Sequence, residues 1–119
     1  MLRCILLFIF FSQLVSAQTK ISVGQIPDFI GKKVKVCDKV YGSYVTESDP
    51  PVTLLNLGGP YPDNPLTLAV FGEDLKNFSY VPSEFLVDKN VCVTGKIVLY
   101  KDEPEIILNS EKDIQILEN

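Results

Sequence analysis

Two stretches of alternating sequence constrain this chain more than any other feature. In Val34–Tyr41 (VKVCDKVY), Val34, Val36 and Val40 fall on one face, with Lys35, Cys37, Lys39 and Tyr41 on the other. Val91–Tyr100 (VCVTGKIVLY) alternates in the same way, and Gly95 within it predicts a bulge or a sharp coil. A period of two marks a strand with one face in a core. Such strands need partners, and Val52–Leu57, Leu66–Phe71 and Pro104–Leu108 supply three more. Gly58–Pro65 separates two of them with two glycines and three prolines, which cannot continue a ladder. Glu73–Phe85 has mixed helical character, with Leu75, Phe78, Phe85 and Leu86 apolar and Pro82 interrupting. It predicts a short helix or two turns. Ile114–Leu117 is a last apolar patch.

The chain has 119 residues, so one domain is expected. With 46% apolar and 22% charged residues it can build a core, and is neither disordered nor fibrous. There is no histidine. That removes the commonest general base near neutral pH, the usual nitrogen metal ligand, and every Ser/His or Cys/His catalytic pair. The expectation is a binding module and not an enzyme, with no cofactor and no metal site. Asp102, Glu103 and Glu105 form one acidic cluster and Glu73-Asp74 another, but neither spacing matches a defined metal loop. A solvated acidic rim is the expected role of both.

Residues 1–17 read as a cleaved secretory signal. Arg3 supplies a positive charge, Ile5–Phe11 is an unbroken apolar run, and Val15-Ser16-Ala17 suits a peptidase. Ser12 and Gln13 interrupt the apolar stretch before it reaches the ~20 residues of a membrane span. Cleavage near Ala17-Gln18 would export the protein to a periplasmic or extracellular space, free of the membrane. Residues 18–30 form an N-terminal lead-in and 31–117 the domain. Arg3 is the only arginine, so the mature chain carries ten lysines against fifteen acidic residues, a net charge of −5. Cys4 leaves with the signal, and Cys37 and Cys92 remain.

The strand order β-β-β-α-β-β in about 100 residues is that of a five-stranded Greek-key OB-fold barrel, all-β with one short helix. Particular segments agree. Gly31–Val40 (GKKVKVCDKV), Leu55–Pro62 (LNLGGPYP), Leu66–Asp74 (LTLAVFGED) and Val91–Ile97 (VCVTGKI), then Tyr100 and Pro104-Glu105-Ile106, resemble small bacterial OB-fold nucleic-acid-binding domains, some of them exported. The resemblance covers about residues 31–116. It implies a module for single-stranded nucleic acid or oligonucleotides, of weak affinity. A different class remains open: an envelope interaction or stress protein whose acidic barrel takes a cationic small molecule, a peptide or a partner protein.

Within such a barrel the first and fourth strands pair antiparallel, which sets Cys37 opposite Cys92, both out of phase with the valines. An even pair in an exported chain is a disulfide candidate; two buried free thiols are the alternative. Lys35, Lys39 and Lys96 would share one outer face as a basic strip, though keeping strand faces soluble and blunting a sheet edge is the favoured reading of these lysines. Stacking platforms come from Tyr41, Tyr44, Tyr61, Phe71 and Tyr100. Phe71 is expected in the core, whereas nearby glycines and prolines place Tyr44 and Tyr61 on loops. The candidate ligand set is Lys35, Lys39, Tyr44, Tyr61, Lys96, Tyr100 and Lys101. Asn77-Phe78-Ser79 is a glycosylation sequon, relevant only to a eukaryotic secretory pathway.

Overall fold

The structure, a computed structural model, describes residues 19–118. The expected signal, residues 1–17, lies outside the described residues. Seven strands form among the described residues: β1 (Thr19–Ile21), β2 (Lys33–Val45), β3 (Val52–Leu57), β4 (Leu66–Phe71), β5 (Asn90–Tyr100), β6 (Glu103–Ile107) and β7 (Ile114–Ile116). The predicted bounds of β3 and β4 match residue for residue. Gly72–Asn77 is a 3₁₀ segment and Pro82–Phe85 a single α-helical turn, α1, so the mixed stretch resolves into two turns.

Five strands close on themselves. β2 pairs with β3, β3 with β4, β4 with β6, β6 with β5, and β5 returns to β2. All these pairings are antiparallel except β4–β6. A ring of this order, with α1 between its third and fourth strands, is OB-like. The five-stranded expectation is corrected in one respect, because β1 adds parallel to β2 and β7 adds antiparallel to β5. Each has three residues, too few for a period of two to declare itself.

Alternation explains the core. Val34, Val36 and Val40 from β2 meet Leu55 and Leu57, Leu66 and Leu68, Val91 and Val93, and Ile97 and Ile106, all fully buried. The lead-in joins them, for Ile21 and Ile26 are buried in the same cluster. A reciprocal cap starts its 3₁₀ segment, Val23–Phe29: the Ser22 N–H donates to Gln25 Oε1 at 2.9 Å, and the Gln25 N–H to the Ser22 carbonyl at 3.0 Å.

Gly95 is not a bulge. The β2–β5 register runs unbroken from Lys33 opposite Lys96 to Lys39 opposite Asn90. The glycine is needed where β5 passes from β2 to β6, since a Cβ there would lie 2.6 Å from Ile106 Cγ2. The irregularity instead falls in β2, between Val40 and Gly42, where β2 passes from β5 to β3. Such a bulge bends the strand and re-aims the side chains beyond it. No helix among the described residues is long and apolar enough to cross a membrane. The sequon side chains serve the fold: Asn77 Nδ2 donates to the Asn109 carbonyl at 2.9 Å, and Ser79 Oγ meets Glu111 Oε2 at 3.2 Å.

Candidate functional site

Beyond the bulge, β2 runs alongside β3, and the outer faces of β2, β3 and β4 form one surface. Register sets Tyr44 beside Leu54, Leu54 beside Ala69, and Asn56 beside Thr67. Tyr44, Leu54, Asn56 and Thr67 are out of phase with the buried Leu55, Leu57, Leu66 and Leu68, so they look outward. The Gly58–Pro65 loop then folds back toward the same surface. Gly58 makes the turn possible: its φ is +87°, and a Cβ there would sit 2.7 Å from Pro65 Cγ. Asn64 pins the loop to β4, its Nδ2 donating to Thr67 Oγ1 and to the Leu66 carbonyl, each at 2.9 Å.

The result is a groove of about 600 Å³ lined by Ser43, Tyr44, Leu54, Asn56, Tyr61 and Thr67. Its two aromatic members are open to solvent, Tyr44 at 59% and Tyr61 at 78%. An exposed ring offers a π-face to a planar ligand while Asn56 and Thr67 offer hydrogen-bonding groups beneath. The size lies within the range of small-molecule clefts.

Only part of the expected ligand set gathers here. Tyr44 and Tyr61 do, although Tyr44 stands on β2 and not on a loop, because Gly42 serves the bulge and does not end the strand. Lys35 and Lys39 face outward from the other half of β2, opposite Thr94 and Asn90, with the Cys37–Cys92 disulfide between them. Lys39 Nζ lies 3.7 Å from Asp88 Oδ1 and 5.0 Å from the Tyr41 ring centre. Lys96 lines a different cleft, with Lys33 and Lys112. Tyr100 ends β5 and Lys101 opens the β5–β6 turn, the Lys101 ammonium 5.4 Å from the Tyr100 ring centre.

Two expectations need correction. Phe71 is not in the core: it is 38% exposed, the last residue of β4, on the outward phase opposite Val52. Glu105 does not belong to a solvated rim. It sits on the outward phase of β6 between Thr67 and Val98, yet only 8% of it is exposed. Burial pushes its carboxyl above the usual glutamate range. Sequence reasoning misses Leu54, Asn56 and Thr67, though the period of two in VTLLNL does turn Leu54 and Asn56 to the side opposite Leu55 and Leu57.

Among solved structures the chain is similar to yeast Stn1 and Ten1, with a TM-score of 0.62 at 11% identity over 91% of this chain and 67% of that one. It is similar to a protein described as an aspartyl-tRNA synthetase from Leishmania major Friedlin, with a TM-score of 0.57 at 13% identity. That match covers 88% of this chain but only 22% of the synthetase chain. A protein described as a nucleic acid-binding lipoprotein, from Klebsiella pneumoniae subsp. pneumoniae MGH 78578, gives a TM-score of 0.48 at 13% identity, over 87% of this chain and 95% of that one. The first two likenesses are of fold. No protein-family model matches the sequence, and no curated protein matches it.

Proposed function

We propose that the protein is an exported, non-enzymatic binding module that holds single-stranded nucleic acid, or a short oligonucleotide, in the groove between Tyr44 and Tyr61. The observation that carries this reading is the placement of two exposed tyrosine rings over Leu54, Asn56 and Thr67 on the outer face of β2–β4. OB-fold barrels take oligonucleotides on the corresponding face, and bases stack on aromatic rings there with little sequence preference. The Cys37–Cys92 disulfide supports the export reading, because such bonds persist in oxidising compartments. The absence of histidine supports a binding role.

Affinity is expected to be modest and salt-sensitive. The net charge of the chain is −4, and Arg3, its only arginine, lies in the expected signal. Fluorescence anisotropy with labelled oligothymidylate at about 50 mM salt, where phosphate contacts are strongest, tests the reading. Tyr44→Ala and Tyr61→Ala should each weaken binding by about 5- to 150-fold, the worth of one stacked base. Tyr→Phe at either position should keep most of it. No binding by the unaltered protein overturns the proposal, and saturable uptake of spermidine in its place favours a cationic ligand.

A further inference from the structure

We propose that a second cleft, lined by Lys33, Lys96 and Lys112, binds a phosphate group independently of the tyrosine groove. The β2–β5 register sets Lys33 directly opposite Lys96 on one outward face. Like charges so placed destabilise a ladder. The 3₁₀ turn Glu111–Asp113 then adds Lys112, and with Thr94 and Asn109 these residues line an open cleft of about 620 Å³. One acid, Asp113, lies in the lining. Its Oδ2 accepts from the Asn109 N–H at 2.9 Å and the Ser110 N–H at 3.4 Å, so it caps the turn. Among the described residues no ion pair joins Lys33, Lys96 or Lys112 to a carboxylate; the pair formed is Lys39–Asp88.

A chain with fifteen acidic against eleven basic residues has thus placed three lysines around one concave surface, none of them in an ion pair among the described residues. A bound anion relieves their repulsion. Lysine is a point-charge phosphate binder, and the Thr94 hydroxyl offers a neutral donor beside the ammonium groups. Glu105 keeps the two sites apart. It lies between Thr67, which lines the groove, and Val98, which lines the cleft. A strand leading its phosphates from one to the other would cross that carboxylate. The ligand is therefore a free phosphate compound, and the proposal stands whether or not the groove takes nucleic acid.

The test is NMR titration of the ¹⁵N-labelled protein with inorganic pyrophosphate, at an ionic strength held constant with sodium chloride. Saturable shifts are expected at the amides of Lys33, Thr94–Lys96 and Asn109–Asp113, with those of Tyr44 and Tyr61 unmoved. Lys33→Gln and Lys96→Gln should each weaken binding roughly ten-fold, as expected for losing one charge-assisted contact. Each should also raise the Tm without pyrophosphate, because the opposed like charges are gone; a merely solubilising lysine would not link these two effects. Absence of saturable shifts, or their survival in the double variant, overturns the site. Displacement of pyrophosphate by oligothymidylate overturns its independence, while failure of oligothymidylate to move the Tyr44 and Tyr61 amides counts against the groove alone.

Discussion

Glu105 is the residue whose environment departs furthest from what its type leads one to expect. It is nearly covered between Thr67 and Val98, and among the described residues no ion pair joins its carboxylate. Desolvation raises its pKa in the folded protein above the ordinary 4.5. Between those two values the folded state holds more proton than the unfolded chain, so stability falls as pH rises through the interval. The penalty is complete above the raised pKa. Glu105→Gln should therefore stabilise the protein at pH 7, by up to about 1 kcal/mol, and leave stability unchanged at a pH where Glu105 is already protonated. Urea denaturation at the two pH values checks this, and an equal effect at both removes the charge as the cause. Tyr61 could be placed from sequence because the prolines and glycines around it forbid a strand. Glu105 could not, because its burial comes from neighbours on β4 and β5 that lie far away in the chain.

At the scale of elements, the β5–β6 hairpin turns through two residues, Lys101 and Asp102, with φ of 50° and 65°. Both lie in the left-handed region that a tight mirror-image hairpin turn requires. Asp tolerates this conformation less well than Gly. Asp102→Gly is expected to raise stability by about 0.5–1 kcal/mol while leaving Lys101 and Tyr100 in place, and thermal unfolding measures it; a lower Tm would mean that the aspartate side chain itself holds the turn. Both strands flanking this hairpin were legible, β5 because it carries enough alternating residues to fix its phase, and β6 only as a short apolar run whose phase the sequence left open. β1 and β7 were not, because three residues reveal no period and only a neighbour with a free edge defines them. Gly42 misled for a related reason. A glycine read locally ends a strand, whereas here it follows a bulge at which the strand exchanges one partner for another.

For the whole molecule, that exchange divides the barrel into a seam and a groove that share one strand. The first half of β2 closes the ring against β5, and the second half carries Tyr44 against β3. Closure and the cysteine pairing could be foreseen through the OB-barrel expectation, which pairs the two alternating stretches, while their phases put both cysteines on the side away from the valines. The common outward phase of Lys35, Lys39 and Lys96 was legible in the same way, and the β2–β5 register keeps it; that Lys33 stands directly opposite Lys96 was not, because it depends on which residue opposes which across the seam. The Cys37–Cys92 bond sits within that seam and joins positions 55 residues apart. Chain entropy assigns a loop of this length about 4 kcal/mol, a large share of a small domain's stability. The Cys37→Ala/Cys92→Ala variant should lose about that much in urea denaturation and become insensitive to reductant, whereas the unaltered protein should fall to nearly the same midpoint once reduced. The loss should also be uneven. Amide exchange from Lys33 to Lys39 should quicken more than exchange at Tyr44 and Leu54, because opening the seam leaves the β2–β3 ladder paired. Equal acceleration along all of β2 would mean that seam and groove open as one unit, and that ligand affinity in the groove depends on the oxidation state of the seam.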